Sequence, residues 1–569
     1  MKQPSTPSDV QTLSSVDEMR ATLRRISHLK GRQPDAQSLQ EVRACVSAFE
    51  RRDLLIEYLH ALNDTYRGLF ERHLVALAHE MRLGLAEVFE VATFYHHFEV
   101  LPNTATPAAL TVRVCDGLSC EMGGAKELLA KLPSLLGADV RVISAPCVGR
   151  CEQAPVAVVH QNPVPHATLE EVAAAVHAKQ THQAMTEHID LDDYVADGGY
   201  RLLADLHSGK SDTEQVLKAM EDSGLRGLGG AGFPAGRKWR IVREQPAPRL
   251  MAVNIDEGEP GTFKDRTYLE RDPHRFLEGL LVAAHVVGID SVYIYLRDEY
   301  HGCRELLTQA LAQLQANPPC PLPHIELRRG AGAYICGEES AMIESIEGKR
   351  GEPRMRPPYI AQVGLFGRPT LEHNFETLYW VRDIVQKGAD WFSGFGRHGR
   401  KGLRSFSVSG RVKQPGVKLA PAGITLQELI DEYCGGMLDG HQLYAYLPGG
   451  ASGGILPARM NDIPLDFDTL QPYGCFIGSA AVIVLSQHDS ARDAAINMMN
   501  FFSHESCGQC TPCRVGTAKA AQLMQAKVWD NTTLEDLNQV MTDASICGLG
   551  QAAPNPVRCV QTYFPEEIV

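Results

Sequence analysis

The sequence predicts a multidomain α/β protein with helical segments at both ends and sheet-forming segments between them. Three observations carry that prediction. The 569 residues suffice for roughly three to five domains, each with its own core. Apolar residues recur at three- and four-residue steps in RDLLIEYLHALNDTY (52–66), HLVALAHEMRL (73–83) and GLAEVFEVATFYHHF (84–98), the helical period. Short apolar runs such as RLMAVNI (249–255), SVYIYL (291–296) and CFIGSAAVIVLS (475–486) crowd the middle of the chain and read as buried strands.

Taken in order, residues 1–51 form a polar N-terminal extension with weak helical periodicity, and 52–109 a helical bundle that the proline-rich LPNTATPAA (101–109) ends. Residues 110–180 alternate strand and helix: LTVRV, GAKELLAKL, ADVRVISA, PVAVVH and LEEVAAAVHAK. The polar stretch 181–199 reads as a linker. Residues 200–402 alternate helices with the strands 249–255, 291–296 and 324–330, the pattern of an α/β domain with a mostly parallel sheet. Residues 403–489 are rich in short strands and glycine turns, with one helix, TLQELIDEYCGG (425–436). Residues 490–569 return to helix.

The net charge of −14, without a long basic run, argues against nucleic-acid binding through a broad basic surface. The N-terminus is polar and carries acids, unlike a secretory signal. The longest apolar run is too short to span a bilayer. The expectation is a cytoplasmic protein without direct membrane insertion.

Fifteen cysteines are many for a compartment that disfavours disulfides. Cys45, Cys303, Cys320, Cys336, Cys434, Cys475 and Cys559 have no close cysteine neighbour and read as buried hydrophobes. The other eight form two sets of four. In ESCGQCTPCRVG (505–516), Cys507, Cys510 and Cys513 make a C-x2-C-x2-C run. Cys547 in ASICGLG is the best fourth ligand, with Cys559 as competitor. Three thiolates on one short loop plus a distant cysteine suit a [4Fe–4S] cluster; zinc, which prefers paired knuckles, is the alternative. Gly508 and Gly516 suit tight turns, and Gly548 and Gly550 flank the fourth ligand. In the second set, Cys115 and Cys120 lie in CDGLSC, and Cys147 and Cys151 in CVGRC. Each pair follows a strand, so two adjacent loops bring four thiolates together. Iron–sulfur and zinc ligation both stay open on spacing alone.

GLRGLGGAGFPAGRKW (224–239) contains G-x-G-x-x-G at Gly227, Gly229 and Gly232. A helical segment, VLKAMEDSG, precedes it where the dinucleotide fingerprint needs a strand, so an ordinary Rossmann reading fails. The glycines still allow backbone N–H groups to approach a phosphate or flavin, and Lys238 could neutralise a phosphate. VNIDEGEPGTFKDR (253–266) gathers Asn254, Asp256, Glu257 and Glu259 after a buried strand, where loops carry ligands. RRGAGAYICGEESAMIESIEGKRGEPR (328–354) repeats the pattern with Tyr334, Glu338 and Glu339.

Residues 52–178, with CDGLSC, CVGRC and VFEVATFYHHF, resemble the thioredoxin-like [2Fe–2S] ferredoxin family. Residues 200–566 resemble the FMN- and NADH-binding subunit shared by respiratory complex I, NAD-reducing hydrogenases and NAD-dependent formate dehydrogenases, and 403–486 its SLBB β-grasp domain. The resemblance implies a thioredoxin-like ferredoxin, an α/β FMN-binding domain, a β-grasp domain and a C-terminal helical bundle with an Fe–S cluster. It implies FMN, NAD(H), one [2Fe–2S] and one [4Fe–4S] as cofactors. Gly227, Gly229, Lys238, Asn254, Asp256, Tyr334, Gly337, Glu338 and Asn374 would bind FMN. Phe233 and Tyr359 would flank the NADH adenine, and Glu257, Glu259 and Glu339 would meet the nicotinamide or its ribose, Glu257 and Glu339 orienting it. No side chain need serve as acid or base, because the cofactors carry the chemistry. Leu228 replaces an arginine of the family's glycine loop, His373 an asparagine near the flavin phosphate, and Tyr359 a phenylalanine.

The ferredoxin and flavin modules are fused here. RDLLIEYLHALNDTY, GLRGLGGAGFPAGRKW, PGVKLAPAGITLQELIDEYCGG and CGLGQAAPNPV resemble most the β (diaphorase) subunit of tungsten- or molybdenum-dependent NAD+ formate dehydrogenase. That resemblance implies a large partner subunit with a tungsten or molybdenum pterin and further Fe–S clusters. The alternatives are the diaphorase subunit of a NAD-reducing Ni–Fe hydrogenase, the NADH-dehydrogenase module of complex I, and a scaffold subunit with degenerate sites.

Overall fold

The computed structural model describes residues 31–569. The chain divides into two compact units, one of residues up to 94 with 98–107, the other of 95–97 with 108–569. In the first, helices Ala36–Cys45, Leu55–Tyr66, Glu71–Met81 and Leu85–Phe94 pack around Leu59, Leu62, Leu74, Leu77 and Val88. The helix at 36–45 falls inside the segment read as a polar extension; the rest of that reading, residues 1–30, lies outside the described residues. Its sequence, AQSLQEVRAC, offers few apolar residues, yet the Asp35 carboxylate caps it by accepting from Ser38 N–H, and Ser38 and Val42 are buried.

The second unit holds three sheets. The first has strands β1 (Leu110–Cys115), β2 (Val140–Ala145), β3 (Ala157–Val159) and β4 (Asn162–Val164), in the order β2-β1-β3-β4. β1 and β2 are parallel, β3 runs antiparallel to β1, and β4 pairs antiparallel with β3 as its hairpin partner. β4 is NPV, too short and proline-bearing to show in the sequence pattern. Helices Ala125–Leu136 and Leu169–His177 cover the sheet, the second opened by a Thr168/Glu171 capping box. Within 181–199, Tyr194 on helix Leu191–Ala196 is buried and donates to Glu278 at 2.5 Å.

The second sheet has β5 (Arg249–Ile255), β6 (Ile289–Leu296), β7 (His324–Arg329) and β8 (Thr370–Asn374), all parallel, in the order β8-β5-β6-β7. Parallel strands need covering helices. Helix Pro273–Val287 is nearly all buried and carries Pro273 at its first position, Asp272 as cap and Gly288 past its end at φ +73°. Trp239, Phe276, Leu280 and Phe375 are fully buried in this core, and truncating one such aromatic costs about 3–5 kcal/mol. β8, TLEHN, has no apolar run, and only pairing with β5 makes it a strand.

The third sheet is mixed: β9 (Leu403–Gly410), β10 (Gly416–Pro421), β11 (Leu443–Leu447), β12 (Leu456–Pro457) and β13 (Ala481–Ser486), ordered β10-β9-β13-β11-β12. The expected helix at 425–436 is a capped turn, Leu426–Glu428, running into a π-helical turn, Leu429–Tyr433. Helices Ala491–Glu505, Thr511–Met524, Asn531–Ala544, Gly548–Ala552 and Asn555–Tyr563 complete the chain. Among the described residues no helix is long and apolar enough to cross a membrane.

Candidate functional site: two thiol clusters and a strand-end pocket

β1 ends at Cys115, which pairs in register with Ala145 at the end of β2. Cys120 sits on the short helix Leu118–Met122 that follows β1, Cys147 on the loop after β2 and Cys151 at the start of the 3-10 helix Cys151–Gln153, and all four thiols are buried. Cys147 Sγ lies 3.4 Å from Cys151 Sγ, and Cys115 is within hydrogen-bond reach of Cys120 and Cys147. Cys147 is held well below the usual thiol range by Cys115 and Cys151 and by Arg297, while Cys115 and Cys151 are pushed above it by their thiol neighbours and burial. Backbone N–H groups face the sulfurs: Gly149 donates to Cys147 at 3.4 Å and Gly261 to Cys151 at 3.3 Å. Four buried thiols without a disulfide, met by main-chain donors, fit a [2Fe–2S] cluster.

The C-terminal set is assembled by helix ends. Cys507 follows helix Ala491–Glu505, Cys510 caps Thr511–Met524 with Cys513 in its first turn, and Cys547 caps Gly548–Ala552. Each thiol lies in the electrostatic field of another of the set. Burial pushes Cys513 up to about 11 and Cys547 up to about 12. Gly550 lets the two helix starts converge, since a Cβ there would stand 2.9 Å from Cys513 Cβ. Cys559, the competing ligand, is instead buried with its sulfur 3.5 Å from that of Cys475.

The flavin motifs meet at the carboxyl ends of the parallel strands, where open α/β sheets bind ligands. Asn254 on β5 and Asn374 on β8 are register partners. Asn254 Nδ2 donates to the Gly337 carbonyl at 2.9 Å, and its Oδ1 accepts from Asp256 N–H at 2.8 Å. The glycine loop comes over them: a Cβ on Gly229 would stand 3.0 Å from Asn374 Cβ. Burial pushes the Asp256 carboxyl well up, and its Oδ2 is buried without a hydrogen-bond partner. That orphaned oxygen beside close-packed glycines fits a bound polar ring system, and the residues present fit FMN.

Other expected contacts are placed differently. The Glu257 carboxylate is spent inside the chain: it accepts from Asp265 N–H at 2.9 Å, Arg266 N–H at 3.3 Å and Tyr300 O–H at 2.8 Å. It fixes the start of helix Lys264–Arg271 rather than opening toward a nicotinamide. Glu259, pushed up by burial, accepts from Ser452 N–H at 2.9 Å and from Ser479 O–H at 3.4 Å. Glu338 caps helix Glu339–Ile346 through Ser340 and Ala341 N–H and pairs with Arg356. Glu339 keeps a partly exposed carboxylate, 3.1 Å from Arg356 and raised by burial and Glu372. Lys238 Nζ lies 3.0 Å from Glu372 Oε2. Tyr334 packs on Phe501, with ring centroids 5.0 Å apart, and its N–H donates to Glu505. His373 turns away from the site into the core, accepting from Trp239 Nε1 at 2.7 Å; burial and Lys238 keep it neutral. Phe233 and Tyr359 are exposed, 39% and 55%, with the Arg237 guanidinium 5.8 Å from the Phe233 ring centroid.

Sequence reasoning passed over Lys264, Asp265 and Glu376. Lys264 Nζ sits 2.6 Å from Asp265, 3.2 Å from Glu376 and 3.4 Å from Asn374 Oδ1, all buried or nearly so, and Asn374 Nδ2 donates to Asp265 at 2.6 Å. This node holds Asn374 in place. Its signal was the run FKDR, with Lys264, Asp265 and Arg266 following the loop's Pro260-Gly261 after two intervening residues.

Family models match in the order of the modules. The thioredoxin-like [2Fe–2S] ferredoxin covers residues 40–180, the Nuo51 FMN-binding domain 220–383, the SLBB domain 405–456, and the NADH-ubiquinone oxidoreductase-F iron-sulfur binding region 493–569. A NADH-quinone oxidoreductase subunit of Rhizobium meliloti is 40% identical over 394 residues, 67% of this chain and 93% of that protein. The mitochondrial NADH dehydrogenase [ubiquinone] flavoprotein 1 of Dictyostelium discoideum is 41% identical over 372 residues, 62% and 78% of the two chains. A crystal structure of a NAD+-reducing [NiFe]-hydrogenase in the H2-reduced state superposes with TM-score 0.80 at 32% identity, covering 91% of this chain and 93% of that one.

Proposed function

Because this chain belongs to the family of NADH-quinone oxidoreductase flavoprotein subunits, and is thereby a NAD(H)-dependent flavin and iron–sulfur oxidoreductase with FMN, [2Fe–2S] and [4Fe–4S] cofactors, we propose that it is the diaphorase subunit of a NAD+-dependent formate dehydrogenase. The observation that carries the proposal is the fusion of the ferredoxin and flavin modules, together with stretches such as PGVKLAPAGITLQELIDEYCGG (415–436) that resemble formate dehydrogenase β subunits. When bound, FMN supplies two-electron exchange with NAD(H), and the clusters supply one-electron exchange with a partner.

The chain's residues do the positioning. Asn254, Asp256, Gly337 and the glycine loop hold the flavin, with Asn374 kept in place by Lys264 and Asp265. Phe233 and Tyr359 present faces for the adenine. Glu339 is the carboxylate left to orient the nicotinamide, while Glu257 is a positioning residue. Cys115, Cys120, Cys147 and Cys151 hold one cluster, and Cys507, Cys510, Cys513 and Cys547 the other. Formate oxidation then belongs to a large subunit with a molybdenum or tungsten pterin.

A second reading, the diaphorase of a Ni–Fe hydrogenase, is favoured by the hydrogenase structure that spans the same fused architecture. The test is NAD+ reduction by the complex purified without oxygen. Formate-dependent reduction is expected; hydrogen-dependent reduction without any response to formate overturns the first reading.

A further inference from the structure

A cavity of about 260 Å³ lies where the glycine loop meets the third sheet's domain, and neither Asn254, Asp256, Gly337 nor Asn374 lines it. Its walls carry four cations, Arg226, Arg400, Lys401 and Arg404, against one carboxylate, Asp466. That carboxylate is shared: it accepts from Arg400 Nε and from Arg404 Nη2, each at 2.8 Å. Arg404 is only 3% exposed, and its Nε has no hydrogen-bond partner. The Phe467 ring carries two guanidiniums, Arg226 at 4.3 Å and Arg404 at 4.1 Å from its centroid. Arg226 also pairs at 2.6 Å with the exposed Asp468, and Lys401 is exposed.

A buried guanidinium with half a carboxylate and an unmet donor is expensive unless another anion completes it. We propose that this cavity is a binding site for a small phosphate-type oxyanion, separate from the flavin and dinucleotide sites. The volume is below the range of about 300–1,000 Å³ that takes drug-sized ligands, which suits a small oxyanion such as phosphate or pyrophosphate. Planar guanidinium forks match phosphate oxygens, and Lys401 adds a point charge. Arg226 ties the site to the flavin side, because its Nε donates to the Gly232 carbonyl of the glycine loop at 2.5 Å. An anion that draws on Arg226 therefore acts on that loop.

The experiment is isothermal titration of pyrophosphate into the FMN-loaded full chain with NAD+ at saturation, so that the dinucleotide site is filled. One binding event is expected. It should weaken about tenfold or more in Arg400→Gln, which loses a charge-assisted contact, and about threefold in the exposed Lys401→Gln. Arg400→Lys, which keeps the charge, should restore part of the loss. The flavin spectrum of every variant should match that of the parent. No binding under NAD+, or equal affinity in the parent and in both charge-removing variants, overturns the proposal. Lys401→Gln keeps the test decisive if Arg400→Gln folds poorly.

Discussion

At the scale of single residues, Cys547 and Cys559 are both cysteines near the end of the chain, and their surroundings differ in a way that supports the proposal of Cys547 as the fourth ligand. Cys547 caps a helix within the field of Cys507, whereas Cys559 is buried against Cys475. Cys547→Ala should abolish the reduced [4Fe–4S] EPR signal yet leave NADH-dependent flavin bleaching, and Cys559→Ala should keep both. A cubane signal that survives in Cys547→Ala would sink the ligand assignment. His373 gives a pH prediction. Its folded pKa lies well below the ordinary 6.5, through burial and Lys238. The unfolded chain therefore binds the extra proton, so its contribution to stability is complete above about pH 6.5 and is lost as pH falls, by about 1.4 kcal/mol per pH unit. His373→Asn should flatten the fall of Tm between pH 7 and 5.5 measured by calorimetry; an unchanged slope would count against a neutral buried imidazole. The residue types were legible in the sequence where chemistry demands spacing, as in the cysteine sets. They were not legible where direction decides, as for Glu257 and His373, because their partners, Tyr300 and Asp265 for the one and Trp239 for the other, are brought to them only by tertiary packing.

At the scale of elements, the flavin site depends on how closely helix Pro273–Val287 lies against the turn 375–379 that follows β8. Gly279 makes that approach: a Cβ there would stand 1.9 Å from the Leu378 carbonyl oxygen. Gly279→Ala must therefore push the helix off the segment that carries Asn374. Overpacking of this kind costs about 1–3 kcal/mol, and both a lower Tm and a reduced flavin content are expected on purification. Parent-like Tm and flavin content would show that the contact relaxes without cost. The long strands β5 and β6 were readable because both faces are buried and the runs are apolar. β8 and β4 were not, since five polar-mixed residues and a proline-bearing triplet become strands only through their neighbours, whereas β3 was readable from PVAVVH. The π turn at Leu429–Tyr433 likewise has no sequence signature.

At the scale of the whole molecule, the order of modules was legible, because each carries its own punctuation and its own ligand set. The fused ferredoxin and flavin domains also touch through specific bonds. Gly261 N–H donates to Cys151 and Arg297 Nη2 to the Cys147 carbonyl at 2.7 Å, while Ser119 pairs at 2.9 Å with Ser409 of the third sheet's domain. A chain loaded with both clusters should carry two plus four irons and one FMN, which iron and flavin analysis of the purified chain checks; four irons, with the flavin present, would remove the ferredoxin cluster. On the proposed reading formate oxidation belongs to a partner subunit, so the identity of that partner is the central claim. Elemental analysis of the complex captured anaerobically through a tag on this chain, in its native host, tests that most directly. Molybdenum or tungsten together with a large co-purifying subunit is the predicted result; nickel in their place would contradict the formate dehydrogenase reading.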